Sequence, residues 1–317
     1  MKLNIPENFY KEEVRDDFTI PSEMKRCWAA QLEVLAQLDD ICRRYGLHYF
    51  AMYGTMLGAV RDKGFIPWDD DLDIGMQRSD LMTLEKIAPQ VFPDDLHMIT
   101  YQSLKGYDAL LPRVTNGLNN IGTPEQIKER MNKYHGCPYV VGVDIFPLDY
   151  VPAAEDERDL QVSLLNILES CRLIWLADDA VVSYRRYLTV QVEQTFNVVI
   201  DERNSREEIN FQLLRLEDAV CAMYGPSDSD EVAITFLQQN WDRRFPDKAF
   251  TDLIMQPFEF TEIPVPSGYH EFLTAYYGDY MVKINQSSSH EYPFYKSQKA
   301  VLERNGIFID YDHMNIM

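Results

Sequence analysis

The chain has 317 residues, 46% of them hydrophobic and 26% charged, enough to bury a substantial core in one large domain or two small ones. Its 51 acidic and 30 basic residues give a formal net charge of −21, a field that repels nucleic acid and anionic membrane surfaces where no basic run overrides it. Five widely spaced cysteines (Cys27, Cys42, Cys137, Cys171 and Cys221) form no C-x-x-C pair and no zinc pattern, which predicts free buried thiols in a reducing cytoplasm.

Residues 1–20 are polar and read as an irregular arm without the apolar core of a signal peptide. Pro21-Ser22 opens a helix whose Met24, Cys27, Trp28, Leu32, Leu35, Leu38 and Cys42 recur at three-to-four spacing, with Gly46 as its stop. Residues 47–52 (LHYFAM) predict a short buried strand, 56–61 a helical turn after Gly54-Thr55, and 66–76 a strand around an acidic cluster. A second amphipathic helix is predicted over 78–91, then strands over 97–102, 109–114 and 139–146 (YVVGVDIF). From 154 to about 224 the pattern is helical, and a shorter helix is predicted over 230–243. FEFTEIPV, 258–265, reads as a hairpin or edge strand, and 270–277 as a short helix ended by Gly278. No stretch of about 18 apolar residues occurs, so no membrane-spanning helix is expected. The fold class expected is α+β, a mixed sheet core flanked by helices. After the arm at 1–20, residues 21–317 are read as a single domain with a helical subdomain at about 154–243.

The chemistry concentrates in WDDDLDIGM, residues 68–76. On an extended strand alternate side chains share a face, so Asp71 and Asp73 point the same way, with Asp69 able to join them. Paired carboxylates of this kind suit a hard divalent cation. The competing reading is a solvated acidic turn, but alternation with Leu72 and Ile74 argues against it. Upstream, Gly54-Thr55 lies between a strand and a helical turn, where backbone can approach a phosphate. Asp144 sits between Val143 and Ile145 on a predicted strand. An unpaired carboxylate there would be expensive to bury, so it becomes a third member of the site, as ligand or as general base. Asp149 is the alternative base, or a turn cap. Arg61 could reach a pyrophosphate or could pair with one of the many carboxylates. Trp68 could stack on a base or a quaternary ammonium, or belong to the core. Tyr276, Tyr277 and Tyr280 read as core rather than cage, the six histidines show no metal-ligand spacing, and Cys137 reads as structural.

A glycine with a small residue, followed by a D-x-D strand, resembles the nucleotidyltransferase superfamily. More closely, residues 53–76 (YGTMLGAVRDKGFIPWDDDLDIGM) resemble the core motif of the LicD family, which includes bacterial phosphocholine transferases and the fukutin-related transferases. VDIFPLDYVP at 143–152 and FEFTEIPVPSGYHEFLTAYYGDYM at 258–281 resemble its second acidic block and its C-terminal block. After Met281, VKINQSSS stands where relatives usually carry a Pro-Pro pair and basic residues before a histidine, so the role of His290 is left open.

The resemblance implies a phosphotransferase. Its donor would be linked to cytidine diphosphate, its transferred group a phospho-alcohol such as phosphocholine, and its acceptor a hydroxyl of a cell-surface glycan or lipid-linked glycan precursor. It also implies Mg²⁺ or Mn²⁺ held by Asp71 and Asp73, which Asp144 joins on the strand argument above, and donor phosphate contacts from Gly54 and Thr55; Trp68 and Asp149 complete the candidate donor-binding residues. Two other readings are a nucleotidyltransferase that makes an activated donor and a non-catalytic nucleotide-binding protein.

Overall fold

The computed structural model describes residues 1–118, 122–237, 243–284, 292–311 and 315–316. In chain order the elements begin with a hairpin of β1 (Glu13–Arg15) and β2 (Phe18–Ile20), then α1 (Ser22–Tyr45), β3 (Phe50–Ala51) and α2 (Tyr53–Leu57). A π-type turn, Gly58–Asp62, extends α2 and is followed by β4 (Asp73–Gln77), α3 (Arg78–Val91), β5 (His97–Ile99) and β6 (Arg113–Thr115). Next come α4 (Pro124–Lys133), β7 (Gly142–Tyr150), α5 (Glu155–Leu176), α6 (Val182–Phe196) and α7 (Arg206–Cys221). The chain continues through β8 (Glu231–Ala233), β9 (Phe245–Pro246), α8 (Lys248–Thr251), β10 (Leu253–Phe258), β11 (Thr261–Pro266) and α9 (Tyr269–Tyr277). It closes with α10 (Lys296–Arg304) and the strands β12 (Ile309–Asp310) and β13 (Asn315–Ile316).

The chain divides into two compact units. One comprises residues 1–98, 113–146 and 250–317, and the other 99–112 and 147–249. The larger unit is built on α1 and a mixed sheet ordered β3-β4-β7-β6-β5. Helix α1 buries the apolar stripe expected of it and ends at Gly46, whose left-handed φ of 68° closes the last turn as only glycine does without strain. Trp28 of that stripe stacks flat on Phe65 at 4.6 Å, and Phe65 meets Phe258 of β10 edge-on at 4.9 Å. In the second unit α5, α6 and α7 share a core of Leu165, Leu168, Trp175, Val192, Ile209 and Leu213. The last two residues of β7 pair there with β8, which pairs in turn with β9. Among the described residues no helix is long and apolar enough to cross a membrane.

The fold is α+β as expected, with the helical insertion in place. Several local expectations differ. Residues 1–20 carry a β-hairpin rather than an irregular arm, because Arg15 and Glu13 find charged partners elsewhere in the chain. The helix expected over 230–243 is replaced at its start by β8, and residues 238–242 of that expectation lie outside the described residues, as does His290. Helices α4 and α10 were not anticipated. For α4 the signal was present: Thr123 and Gln126 form a reciprocal capping box, with Pro124 at the first helical position.

Candidate functional site

Two hydrogen bonds tie the turn after β3 to the start of β4, and a third closes the turn on itself. Met52 N–H donates to the Asp73 carbonyl (3.0 Å), Asp73 N–H donates to Thr55 Oγ1 (2.8 Å), and Met56 N–H closes onto Met52 (3.0 Å). Thr55 is buried, so its hydroxyl serves as a fixed peg for the first residue of the acidic strand. A Cβ on Gly54 would fall 2.3 Å from Asp69 Oδ2, closer than any real contact, so only glycine lets the Asp69 carboxylate lie on this turn.

β4 begins at Asp73, not at residue 66, so Asp69, Asp70 and Asp71 lie on an irregular approach rather than on a flat strand. Helix α1 holds that approach by its backbone: Trp28 Nε1 donates to the Asp69 carbonyl (3.2 Å) and Gln31 Nε2 to that of Asp70 (2.8 Å). The irregularity gathers the three neighbours, whose carboxylate oxygens lie within 4.8 Å of one another. Asp70 is fully buried and accepts the Phe294 N–H at 2.6 Å, a structural bond that was not foreseen.

Asp69, Asp71, Asp73 and Asp144 form one electrostatic group. Burial raises Asp73 well above the usual carboxylate range, and the charges of Asp71, Asp144 and Asp69 add to it while Arg113 opposes them. Burial likewise raises Asp69, helped by the charge of Asp71 and a hydrogen bond between the two. Carboxylates so placed cannot all ionise without a compensating cation. Asp144 faces Arg113 across the β6–β7 pair, and Arg113 Nε donates to its Oδ1. The Asp144 N–H donates to the Leu72 carbonyl at 3.0 Å, which fastens β7 beside the acidic approach. Arg113 was missed in the sequence, although the alternation of Arg113, Val114 and Thr115 marked it as a charge on a strand. Tyr277, 39% exposed overall, has its hydroxyl pKa raised by burial and then by the charges of Asp73, Asp69 and Asp71, so it too stands beside the group. Tyr276 packs edge-on against Tyr53 at 5.1 Å.

The structure thus brings together Gly54, Thr55, Asp71, Asp73 and Asp144, with Asp69 among them. The other candidates are placed differently. Arg61, 6% exposed at its side chain, donates from Nε to Asp62 (2.9 Å) and from Nη1 to the Tyr280 carbonyl (3.2 Å). Trp68 is half-buried and meets Phe18 edge-on at 6.2 Å. Asp149 belongs to the second unit, where it is 1% exposed and accepts a short hydrogen bond at 2.5 Å from Thr235 Oγ1. Cys137 is buried with its sulfur 3.7 Å from that of Cys27.

The segment that carries the glycine-led turn and three of these carboxylates is also one that known sequences match. A family profile described as "LicD/FKTN/FKRP, nucleotidyltransferase domain" matches residues 46–110, from the end of α1 through Asp69–Asp73, α3 and β5. The lipopolysaccharide cholinephosphotransferase LicD of Haemophilus influenzae is 26% identical over 253 residues, covering 79% of this chain and 88% of that protein. The chain is similar to the LicD family. Two further relatives are uncharacterized proteins of Rickettsia prowazekii and Rickettsia typhi. They are 40% and 38% identical over 58 residues, which is 18% of this chain and 22% and 19% of theirs.

Proposed function

We propose that this LicD-like phosphotransferase moves a phospho-alcohol group, phosphocholine in the first instance, from a cytidine-diphosphate-linked donor onto a hydroxyl of a surface-glycan precursor. The observation that carries the reading is the convergence of Asp69, Asp71, Asp73 and Asp144 on the Gly54-Thr55 turn, in a chain similar over most of its length to a lipopolysaccharide cholinephosphotransferase. The donor set suits a hard divalent cation, since it offers only carboxylate oxygens and carries more negative charge than Arg113 offsets. Asp71, Asp73 and Asp144 would hold Mg²⁺, with Asp69 close by. When bound, the ion would offset the negative charge of the donor diphosphate.

The chain's own residues supply the rest. The Gly54-Thr55 turn leaves room for the donor phosphates beside the carboxylates. Arg113 orients Asp144 by its hydrogen bond to Oδ1. Asp144 takes the proton of the acceptor hydroxyl as its oxygen bonds to phosphorus, while the bond from that phosphorus to the cytidine monophosphate oxygen breaks. The nucleotide leaves with the electron pair.

The test incubates the full chain with CDP-choline and a lipopolysaccharide acceptor, with Mg²⁺ or with a chelator. Release of cytidine monophosphate together with labelled glycan, lost on chelation, is the expected result. In a parallel incubation with CTP and phosphocholine, pyrophosphate release, with no glycan labelling in the first, would replace this reading with donor synthesis.

A further inference from the structure

Around the acidic approach to β4 the aromatic side chains fall into two kinds. Trp28, Phe65 and Phe258 are packed into the core at 0%, 3% and 0% exposure. Phe18 of β2, Trp68 and Tyr292 are only half-buried, so each keeps accessible surface. They come from three segments far apart in the sequence, all within the larger unit. Phe18 meets both of the others edge-on, Trp68 at 6.2 Å and 69° and Tyr292 at 5.7 Å and 79°. Two rings thus stand steeply against a central third. Half-open rings at such angles suit a cation held by aromatic faces.

The chain brings none of its own cations to these rings. Among the described residues Lys25 stands over Phe9 and Trp28, Arg15 over Trp28 and Arg26 over Tyr10, but no lysine or arginine lies over Phe18, Trp68 or Tyr292. Negative charge is close by instead. Trp68 directly precedes Asp69, and the Phe294 N–H, two residues beyond Tyr292, donates to Asp70 Oδ2 at 2.6 Å. The Tyr292 hydroxyl pKa is raised by burial and then by the charges of Asp70 and Asp69. Asp69 Oδ2 is turned to Gly54 and Asp70 Oδ2 to Phe294. A cation at the rings therefore feels the field but finds few acceptors for N–H groups, which favours a methylated ammonium over a primary one.

We propose that Phe18, Trp68 and Tyr292 form the subsite for the quaternary ammonium of the transferred group, an inference that rests on the phospho-alcohol reading above. Trp68 lies three residues before Asp71, at most about 11 Å along the chain. That interval lets an ammonium joined by two carbons to its phosphate meet the rings while the phosphate is at the carboxylates. The three residues set specificity: they select a quaternary alcohol over a polyol or a primary amine. They take no part in proton transfer or in holding the metal.

The test measures binding of tetramethylammonium, choline and ethanolamine to the full chain by saturation-transfer NMR, without nucleotide and without Mg²⁺. Tetramethylammonium and choline should bind, and ethanolamine about tenfold more weakly. Trp68→Leu and Phe18→Leu should each weaken choline binding about fivefold, the size of one cation–π contact. Trp68→Phe, which keeps a ring, should lose less. With donors, the parent's preference in kcat/KM for CDP-choline over CDP-ethanolamine should fall about fivefold in Trp68→Leu, whereas a damaged fold would slow both donors alike. No binding of tetramethylammonium, choline binding unchanged in both leucine variants, or an unchanged donor preference would overturn the proposal. Choline binding that both leucine variants weaken and Trp68→Phe largely retains would uphold the subsite even if no phosphocholine were transferred. Transfer from CDP-choline with the parent's donor KM in both leucine variants would overturn the subsite and leave the transferase reading intact.

Discussion

The N-terminal hairpin and the approach to β4 each gather four or more charged side chains, but they balance them differently. At the hairpin, Arg15 spans Glu13 (2.8 Å) and both oxygens of Glu259 (2.6 and 2.9 Å), while buried Lys25 donates to Glu13. Two acids meet two bases, and Glu259 also accepts the Phe65 N–H at 3.1 Å. Glu13 is accordingly held down at about 2, chiefly by its hydrogen bond to Arg15. Around Asp73 four carboxylates meet Arg113, and the buried ones are pushed up instead. Charge that cancels within the chain clamps a hairpin to the body of its unit. Charge that does not cancel costs stability and is characteristic of places built for a ligand.

The largest test of this contrast removes carboxylates from the uncompensated group. Asp71→Asn or Asp73→Asn should lower turnover by on the order of 10³-fold or more, since electrostatic stabilisation of a phosphoryl group is lost. Each variant should keep its fold, with a metal-free Tm equal to or above that of the parent. Each should also lose the rise in Tm that Mg²⁺ gives the parent protein. Rates within tenfold of the parent in both would remove these residues from the site.

Asp144→Asn should cost roughly 10²–10⁴-fold in single-turnover rate at saturating donor and Mg²⁺, the size of a lost general base. Calorimetry sharpens the assignment. Donor and Mg²⁺ affinities that fall in parallel with the rate would show that Asp144 also holds the cation.

The compensated cluster should respond in stability. Arg15→Ala leaves the buried Glu259 carboxylate without its bidentate partner and should cost about 3 kcal/mol, read as a drop in the urea midpoint. The Mg²⁺ response of the variant should match the parent's. A variant as stable as the parent would mean that the clamp contributes nothing.

The smallest effect is in pH. The folded pKa of Glu13 lies below its unfolded value of about 4.5, so the native state binds fewer protons and the stabilisation is complete above that value. It is lost as pH falls from about 4.5 toward about 2. The stability difference between the parent and Glu13→Gln should therefore be constant from pH 7 to 5 and shrink below 4.5. Because Glu13 is partly exposed, salt should weaken the effect.

Local pattern determined a good deal of this molecule. Apolar spacing and Gly46 placed α1, periodicity placed α3 and the helical insertion, and alternation identified Asp144 as a carboxylate on a buried strand. The Gly54-Thr55 turn and the aspartates after it were legible because close backbone approach and carboxylate clustering need particular residues at short spacing. Tertiary structure decided what depends on partners distant in sequence. Arg113 meets Asp144 through strand pairing across 31 positions, and Asp70 turns inward because Phe294 N–H, 224 positions away, takes its oxygen. Asp149 was the alternative base in sequence, yet it lies in the second unit against Thr235. Spacing along the chain cannot tell a carboxylate that will find a hydrogen-bond donor from one that will face other carboxylates. That difference in partners separates structural charge from the candidate catalytic charge in this fold.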